Sequence, residues 1–418
     1  MYAATLLACY IFVNKVLRNL NDWYYDLKLR KRQYPLPPGD MGWPLIGNLW
    51  PFFKYFSSGR RDMFINNIFL RYGRTGIYKT HLYGSPSIIV TTPDMCKKVL
   101  TDEETFKMGY PKAFILLLAP NRILSEHGRL KRLVTAPIAG HNVSVMYLEC
   151  IEDIVINKLE ELSSMRRSIE FLNEMSKVSF KLVIQIFMGS CNQGLVNKMG
   201  DLFHVMSCGI FSMTPPINAP GFVFNKAIKA RKKLDKIVQY IIDERRVKAK
   251  NRQIGEKNDL LDILFEIKDE GAEKLEDKDI IDVLVVLETL RYRSAFSTFR
   301  EATIDVNING YFIPKGWKVL VWLSAMHMAP EHYSNPEEYN PSRWDDYNPA
   351  IGSFLHFGIG RRLCPGRDLA RYEMTIFLHY FVLNYRLELI NPECPLTSLP
   401  FLKPVDNCLA KVIKLSDS

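Results

Sequence analysis

The sequence has no pair of cysteines spaced as C-x-x-C, although its 418 residues include eight cysteines. In a chain of this length, that absence argues against a zinc site or a disulfide framework and predicts reduced thiols facing the cytosol. No basic run is interleaved with aromatic residues, and the net charge of +10 is spread along the chain. This argues against nucleic acid as a partner and favours acidic partners or anionic lipid surfaces. Internal repeats and long low-complexity segments are also lacking.

Long apolar runs are scarce as well. The first residues, Met1–Val13 (MYAATLLACYIFV), are apolar but fall short of the roughly 20 residues that span a bilayer. A secretory signal peptide would have positive charge before this run and a small-residue cleavage site after it, and neither is clear. Basic residues and a stiff PLPPG segment follow instead. We therefore predict a short or clipped membrane anchor over 1–27, with its basic side cytosolic, and a basic, proline-rich hinge over 28–39. A buried first helix is the alternative.

The periodicity of apolar residues predicts a mainly helical chain with small β-sheets early and late. Helical spacing covers residues 60–72 and most of 143–250. Alternating apolar residues predict a β-hairpin over 76–93, and turns containing glycine predict a second β region over 301–323. A proline-rich break over 209–221 interrupts the helical part.

One cysteine lies in a loop rich in glycine and arginine, residues 357–366 (FGIGRRLCPG). Pro365 fits a first helical turn and apolar residues recur at helical spacing from Asp368 onward, so Cys364 is predicted at a helix N-terminus. There the helix dipole and the neighbouring arginines favour thiolate over thiol. The glycines let a flat, bulky group approach the backbone, and cysteine thiolate is a haem-iron ligand that favours O–O bond cleavage. A half-buried cysteine on an ordinary loop is the alternative.

The pattern Phe-x-x-Gly-x-Arg-x-Cys-x-Gly is complete in this loop, which resembles the haem-binding loop of the cytochromes P-450. The resemblance implies that Cys364 is the axial ligand of haem b iron and that Arg362 binds a haem propionate. It further implies that Phe357 packs near the sulfur. Gly360 and Gly366 are the pattern's glycines, and we count them among the cofactor-binding residues.

Two further motifs match this family in order and spacing. Glu288-Thr-Leu-Arg291 is an E-x-x-R pair that shares one helical face, and 335–344 resembles the family's second arginine segment. The resemblance implies that Arg343 joins Glu288 and Arg291 in a buried network that braces the haem-binding loop. A solvated surface pair is the alternative for the first motif. The implied fold is mainly α with small β-sheets, in one haem-binding monooxygenase domain over 40–418.

Three basic residues are further candidates for binding haem propionates. The resemblance implies this role for Arg300, at the start of the late β region; a surface arginine on a strand edge is the alternative. Residues 125–132 match where the family usually has W-R-x-x-R, with His127 at the tryptophan position and Lys131 at the second arginine position. Both can donate to a propionate, although Lys131 does so as a point charge without a fork of donors.

A segment that the family uses to activate oxygen is lacking. Ile281–Leu287 (IDVLVVL) leads directly into Glu288, whereas family members have a long helix here that crosses the haem and carries an A/G-G-x-D/E-T motif. We interpret this as an internal deletion near 282–288 that removes the central distal helix, through exon skipping or a gene-model error. No catalytic residue is therefore identifiable. Loss of a whole helix predicts poor folding and the loss of a directed proton path.

Within the family the chain is similar to plant microsomal members, in the branch of ent-kaurenoic acid oxidase and β-amyrin 11-oxidase. Residues 35–50, 299–317 and 335–347 carry this resemblance. It implies oxidation of an unactivated carbon of a triterpenoid such as β-amyrin, or of a diterpenoid such as ent-kaurenoic acid. Dioxygen would be the oxidant, and NADPH–cytochrome reductase, a flavoprotein, would supply electrons. The location implied is the endoplasmic reticulum membrane, with membrane lipid as a partner and the catalytic domain facing the cytosol.

Four apolar segments lie where the family lines its substrate pocket: 106–123, 209–222, 294–299 and 397–402. For each one, a place in the ordinary core is the alternative. Two alternatives also stay open for the whole chain. It is either an inactive isoform that binds haem or terpenoid without turnover, or a non-productive truncated product.

Overall fold

The structure is a computed structural model that describes most of the chain. The described residues are 2–29, 32–118, 141–189, 192–210, 217–251, 297–327, 329–332, 334–335, 355, 357–398 and 403–415. The helices are α1 (Tyr2–Lys28), α2 (Leu49–Ser57), α3 (Arg61–Tyr72), α4 (Pro93–Thr101), α5 (Lys112–Leu118), α6 (His141–Ser164), α7 (Phe171–Met188), α8 (Gln193–Ile210), α9 (Val223–Asn251), α10 (Leu323–His327) and α11 (Arg367–Asn384), with a 3-10 turn at Gly360–Arg362.

The strands are short. They are β1 (Ile77–Leu82), β2 (Ser85–Val90), β3 (Phe106–Met108), β4 (Ile169–Glu170), β5 (Ser297–Ala302), β6 (Val306–Ile308), β7 (Tyr311–Ile313), β8 (Lys318–Trp322), β9 (Tyr385–Leu389), β10 (Leu396–Thr397), β11 (Lys403–Pro404) and β12 (Leu409–Lys414). The predicted fold class, mainly α with small β-sheets, is confirmed. The predicted hairpin over 76–93 and the β region over 301–323 correspond to β1–β2 and to β5–β8.

By its packing the chain divides into two compact units. The first comprises Met1–Pro111, Ala295–Arg362 and Thr397–Phe401. The second comprises Lys112–Ser294, Leu363–Leu396 and Leu402–Ser418. The assignment of residues 40–418 to a single domain stays a prediction.

A five-stranded sheet in the order β1-β2-β8-β5-β3 forms the centre of the first unit. The β2–β8 pair is parallel and the other pairs are antiparallel. Apolar residues of β2 and β8 are fully buried, as expected for strands covered on both faces. Trp322 of β8 lies among the rings of Phe52, Phe56 and Phe64, which fixes α2 and α3 against the sheet.

Helices dominate the second unit, whose core lies between α6, α7, α8, α9 and α11. A three-stranded antiparallel sheet in the order β4-β12-β9 closes one side. Gly209 explains how closely α8 and α9 approach, because a Cβ at this position would lie 2.1 Å from the Cβ of Ala227. A residue with a Cβ at this position would push α8 and α9 apart, so glycine is required here although it is a poor helix former.

The N-terminal helix α1 includes residues 2–27 of the predicted anchor, and Met1 lies outside the described residues. Among the described residues, no helix combines the length and the apolar character needed to cross a membrane.

Candidate functional site

The first half of the cysteine loop belongs to the first unit. Gly358 donates its N–H to the carbonyl of buried Leu355 at 2.9 Å, and the chain then enters the 3-10 turn at Gly360–Arg362. Gly358 and Gly360 have φ angles of 81° and 68°, which side chains with a Cβ rarely adopt. These two glycines are therefore required for the path of the loop. This is a second role, besides the close approach of a bulky group that the sequence suggested.

Cys364 is half-buried in the second unit, three residues before the first residue of α11. Its carbonyl accepts a hydrogen bond from the N–H of Arg367 at 3.3 Å. The predicted helix start was slightly wrong, because α11 begins after Gly366 and leaves Pro365 outside the helix. The cysteine still lies just before a helix N-terminus.

Cys96, the one fully buried cysteine in the described part of the chain, illustrates the contrast. Cys96 lies in the apolar core of the first unit, where burial raises the pKa of its thiol. Its sulfur points to the carbonyl of Val90 at 3.6 Å. Such a thiol is an inert core group, as predicted for cysteines without an electropositive environment.

Arg362 forms an ion pair with an acidic residue that the sequence did not indicate. Its Nε donates to Oε1 of Glu103 at 3.1 Å, and its side chain is only 12% exposed. Its Nη1 is buried and has no hydrogen-bond partner among the described residues. Part of this guanidinium is therefore held in place while another part has an unused donor.

Arg300 lies on β5 in the same unit and is 4% exposed. Its Nη1 donates to the carbonyl of Phe299 at 3.2 Å, whereas its Nε is buried without a hydrogen-bond partner in the described part of the chain. Burial lowers the pKa of the Arg300 guanidinium, and the charge of Arg362 adds to this, against opposing contributions from Tyr110 and Glu103. The two guanidinium groups therefore lie within electrostatic reach of each other.

This donor set fits a buried anion. Buried polar groups are nearly always hydrogen-bonded, so two guanidinium nitrogens without a partner among the described residues, on Arg300 and Arg362, indicate acceptors that this part of the chain does not provide. Glu103 pairs with Arg362 and also attracts the charge of Arg300, so the described part of this cluster has one carboxylate for two cations. The two propionates of a haem have the required charge and acceptors.

Several predicted site residues cannot be placed. His127, Lys131, Glu288, Arg291 and Arg343 all lie outside the described residues, and so does the segment of the interpreted deletion. Their roles stay predictions. Phe357, Gly360 and Arg362 lie in the first unit, whereas Cys364 and Gly366 lie in the second.

One of the apolar segments predicted to line a substrate pocket, 106–123, has residues in both cores. Phe106 and Leu117 are fully buried, in the first and the second unit respectively. For these two side chains the alternative of an ordinary core position fits better.

A cleft of about 1080 Å³ lies in the second unit, between α6, α7 and α8. Its walls carry both signs of charge, and Lys158 and Lys177 each form an ion pair with Glu174. None of the predicted cofactor-binding residues that the structure describes lines it.

Comparison with known proteins bears on both the fold and the chemistry. The sequence profile of the family described as Cytochrome P450 matches residues 37–287 and 283–409. The chain is 53% identical to β-amyrin 11-oxidase of Glycyrrhiza uralensis over 486 aligned positions, which cover 100% of this chain and 98% of that protein. It is 38% identical to ent-kaurenoic acid oxidase 2 of Arabidopsis thaliana, over 97% of this chain and 96% of that protein.

Solved structures resemble the fold. Retinoic acid bound cyanobacterial CYP120A1 superimposes with a TM-score of 0.78 at 24% identity, covering 92% of this chain and 100% of that one. The heme domain of cytochrome P450DA superimposes with a TM-score of 0.74 at 17% identity, covering 92% of this chain and 98% of that one.

Proposed function

The chain belongs to the cytochrome P450 family, and from this premise we propose that it oxidises an unactivated carbon of a triterpenoid. Membership makes it an oxidoreductase of the haem-thiolate monooxygenase type, which uses dioxygen and electrons supplied by a reductase. The observation that carries the substrate class is the 53% identity with β-amyrin 11-oxidase over the full chain. The lower identity of 38% with ent-kaurenoic acid oxidase 2 makes a diterpenoid the second choice.

The residues that would hold the haem come from the loop and from β5. Cys364 would ligate the iron as thiolate, and Arg362 and Arg300 would donate to propionates. The unpaired buried nitrogens of the two arginines support this assignment. When bound, the haem supplies the redox chemistry of the reaction, while the arginines neutralise its carboxylates inside the protein.

Product formation tests the proposal. The chain is expressed in microsomes that contain NADPH–cytochrome reductase and is incubated with β-amyrin or with ent-kaurenoic acid. We expect an oxidised product from β-amyrin that depends on NADPH and is absent with Cys364→Ala. Oxidation of ent-kaurenoic acid alone would replace the triterpenoid by a diterpenoid.

A second candidate function follows from the missing helix: an inactive isoform that binds haem or terpenoid without turnover. The alignment with β-amyrin 11-oxidase has 486 positions whereas the chain has 418 residues, so at least 68 positions have no counterpart here. The family profile also matches in two segments that meet at 283–287. Both observations support an internal deletion next to Glu288. A haem spectrum without any product from either terpenoid would favour this candidate.

We further propose that the chain associates with the endoplasmic reticulum membrane through α1, with the rest of the chain in the cytosol. One face of α1 is tied to the first unit: Asn21 donates to the carbonyl of Met41 at 2.7 Å, and Asp22 pairs with Lys79 at 2.8 Å. The opposite face exposes an apolar stripe at helical spacing, formed by Val13, Val16, Leu20, Trp23 and Leu27.

Such a stripe suits the interface of a bilayer. Apolar side chains with tryptophan enter the headgroup region, while basic residues such as Lys15 and Lys28 interact with anionic lipid. Flotation with vesicles of phosphatidylcholine and phosphatidylserine tests this. We expect the wild-type chain to float and the double variant V16E/L20E to stay in the dense fraction. Leu70→Glu, at an apolar residue that is 83% exposed on α3, is the matched control and should float. Equal flotation of all three chains would contradict the proposal.

A further inference from the structure

Glu103 has no role in the family pattern considered above, yet it contacts the loop at Arg362. We propose that Glu103 is a positioning residue for the haem: it holds the Arg362 guanidinium so that the remaining donors face a propionate. The inference rests on the proposed haem binding and adds a residue to it. Its basis is the ion pair between Nε of Arg362 and Oε1 of Glu103 at 3.1 Å, beside the unpaired Nη1.

The turn that carries Glu103 is well fixed. It follows α4, whose residues Val99 and Leu100 are buried in the core of the first unit. The Asp102 side chain accepts from the N–H of Thr105 at 3.0 Å, and the hydroxyl of Thr303 donates to the carbonyl of Glu104 at 2.8 Å. The Glu103 carboxylate is therefore presented from a rigid support.

The electrostatics explain why a carboxylate is needed at this point. Arg300 is buried and the Arg362 side chain is only 12% exposed, so without a counter-charge the two cations would repel. Glu103 neutralises one of the two cations. Because it engages only the Nε edge of Arg362, the planar guanidinium keeps further donors for a second acceptor.

Haem retention tests the proposal. The haem-loaded wild-type chain, Glu103→Ala, Glu103→Gln and the control Glu104→Ala are mixed with excess apomyoglobin, and haem transfer is followed by absorbance. We expect Glu103→Ala to lose haem on the order of tenfold faster, as for the loss of one charged hydrogen bond. Glu103→Gln should lose it less than about threefold faster, because the amide oxygen still accepts from Nε. Glu104 is exposed, and its variant should behave as wild type.

A double-mutant cycle distinguishes positioning from a general structural role. If Glu103 acts through Arg362, then Glu103→Ala has no further effect in the background of Arg362→Ala. An equal acceleration in both backgrounds would overturn the proposal, and so would a Glu103→Ala variant that keeps haem as long as wild type. A wild-type chain that takes up no haem would overturn both this inference and the proposed function. Normal retention by wild type with no effect of Glu103→Ala would overturn the inference alone.

Discussion

The residues before Cys364 and those after it differ in how completely they are packed. Before it, the Arg362 side chain is only 12% exposed and is ion-paired to a fixed carboxylate. After it, α11 packs one face into the core of the second unit through Ile376, Phe377 and Phe381, whereas its other face is exposed. That exposed face is apolar: Met374, Leu378 and Val382 are 51%, 56% and 67% exposed.

The difference bears on the part of the fold that the proposed deletion would affect. Residues four apart lie on one helical face, so Met374, Leu378 and Val382 form a continuous stripe. A stripe of this kind is normally covered by another element. The arginine cluster of the first unit needs no such cover. The proposed deletion accounts for this stripe as the site of a removed packing partner, whereas Arg300, Arg362 and Cys364, the proposed haem-binding residues, remain in the chain.

Restoring the missing segment should have the largest effect. Inserting the corresponding residues of β-amyrin 11-oxidase next to Glu288 should raise the free energy of unfolding by several kcal/mol, because a helix buries many side chains worth about 2–5 kcal/mol each. Denaturant titration measures the gain, and microsomal assays measure turnover. A glycine–serine insertion of equal length is the control. A wild-type chain as stable and active as the chimera would contradict the deletion.

Substitutions on the two faces of α11 should differ in their effect on stability. Changing Phe377 to alanine should lower the free energy of unfolding by about 2–4 kcal/mol. The reason is that Phe377 stacks on Phe381, with ring centroids 5.6 Å apart. Its neighbour Leu378 is exposed, so Leu378→Ala should change the free energy of unfolding by less than about 1 kcal/mol. Urea titration of both variants tests this. Equal losses would show that the second face is buried in solution.

Loss of Arg300 should weaken haem retention. A charged hydrogen bond contributes about 1.5–3 kcal/mol, so Arg300→Ala should lose haem roughly 10- to 100-fold faster than wild type. Arg74→Ala is the control, because that side chain is 60% exposed in the same unit. Haem transfer to apomyoglobin gives both rates. Equal rates for the two variants would remove Arg300 from the site.

The smallest effect is expected at Glu301, the neighbour of Arg300 on β5. Burial would raise the pKa of the Glu301 carboxyl, but hydrogen bonds from Lys318 and Lys107 outweigh it and hold the pKa below its usual value. The ionised Glu301 therefore stabilises the folded state above the pKa of this carboxyl in the unfolded chain, about 4.3. This stabilisation is lost as pH falls through the lower pKa of the folded state.

Unfolding of wild type and Glu301→Gln at a series of pH values checks this. We expect wild type to be more stable by less than about 1 kcal/mol at pH 7, with the difference vanishing in acid. Glu388→Gln, at a looser and more exposed pair with Lys411, should show a smaller difference. A difference in stability between wild type and Glu301→Gln that grows in acid would contradict the lowered pKa of Glu301.

The sequence predicted the elements that depend on local pattern. Alternating apolar residues and a turn containing glycine were sufficient to predict the β1–β2 hairpin. Apolar residues at helical spacing were sufficient to predict α3 and α11. Local patterns do not report long-range pairing. The ion pair of Glu103 with Arg362 joins residues 259 apart in sequence, and nothing in the local sequence around Glu103 marks it as a partner.

The exposed face of α11 was beyond prediction for a similar reason. Apolar spacing predicts that a helix face prefers burial, but it does not state whether a covering element exists. Tyr372 lies at helical spacing from Leu369 and Ile376, which pack against the core, and yet it is 38% exposed. The absence of the distal motif, in contrast, could be recognised in the sequence, because family members carry a defined A/G-G-x-D/E-T pattern before the segment that contains Glu288.

The most direct test of the central claim, that Cys364 holds haem iron as thiolate, is the reduced carbon monoxide difference spectrum of the purified chain. We expect the wild-type chain to give the band typical of thiolate ligation and Cys364→Ala to lose it. The exposed Cys208 provides the matched control, since Cys208→Ala should keep the band. A spectrum that is the same for wild type and Cys364→Ala would contradict the account.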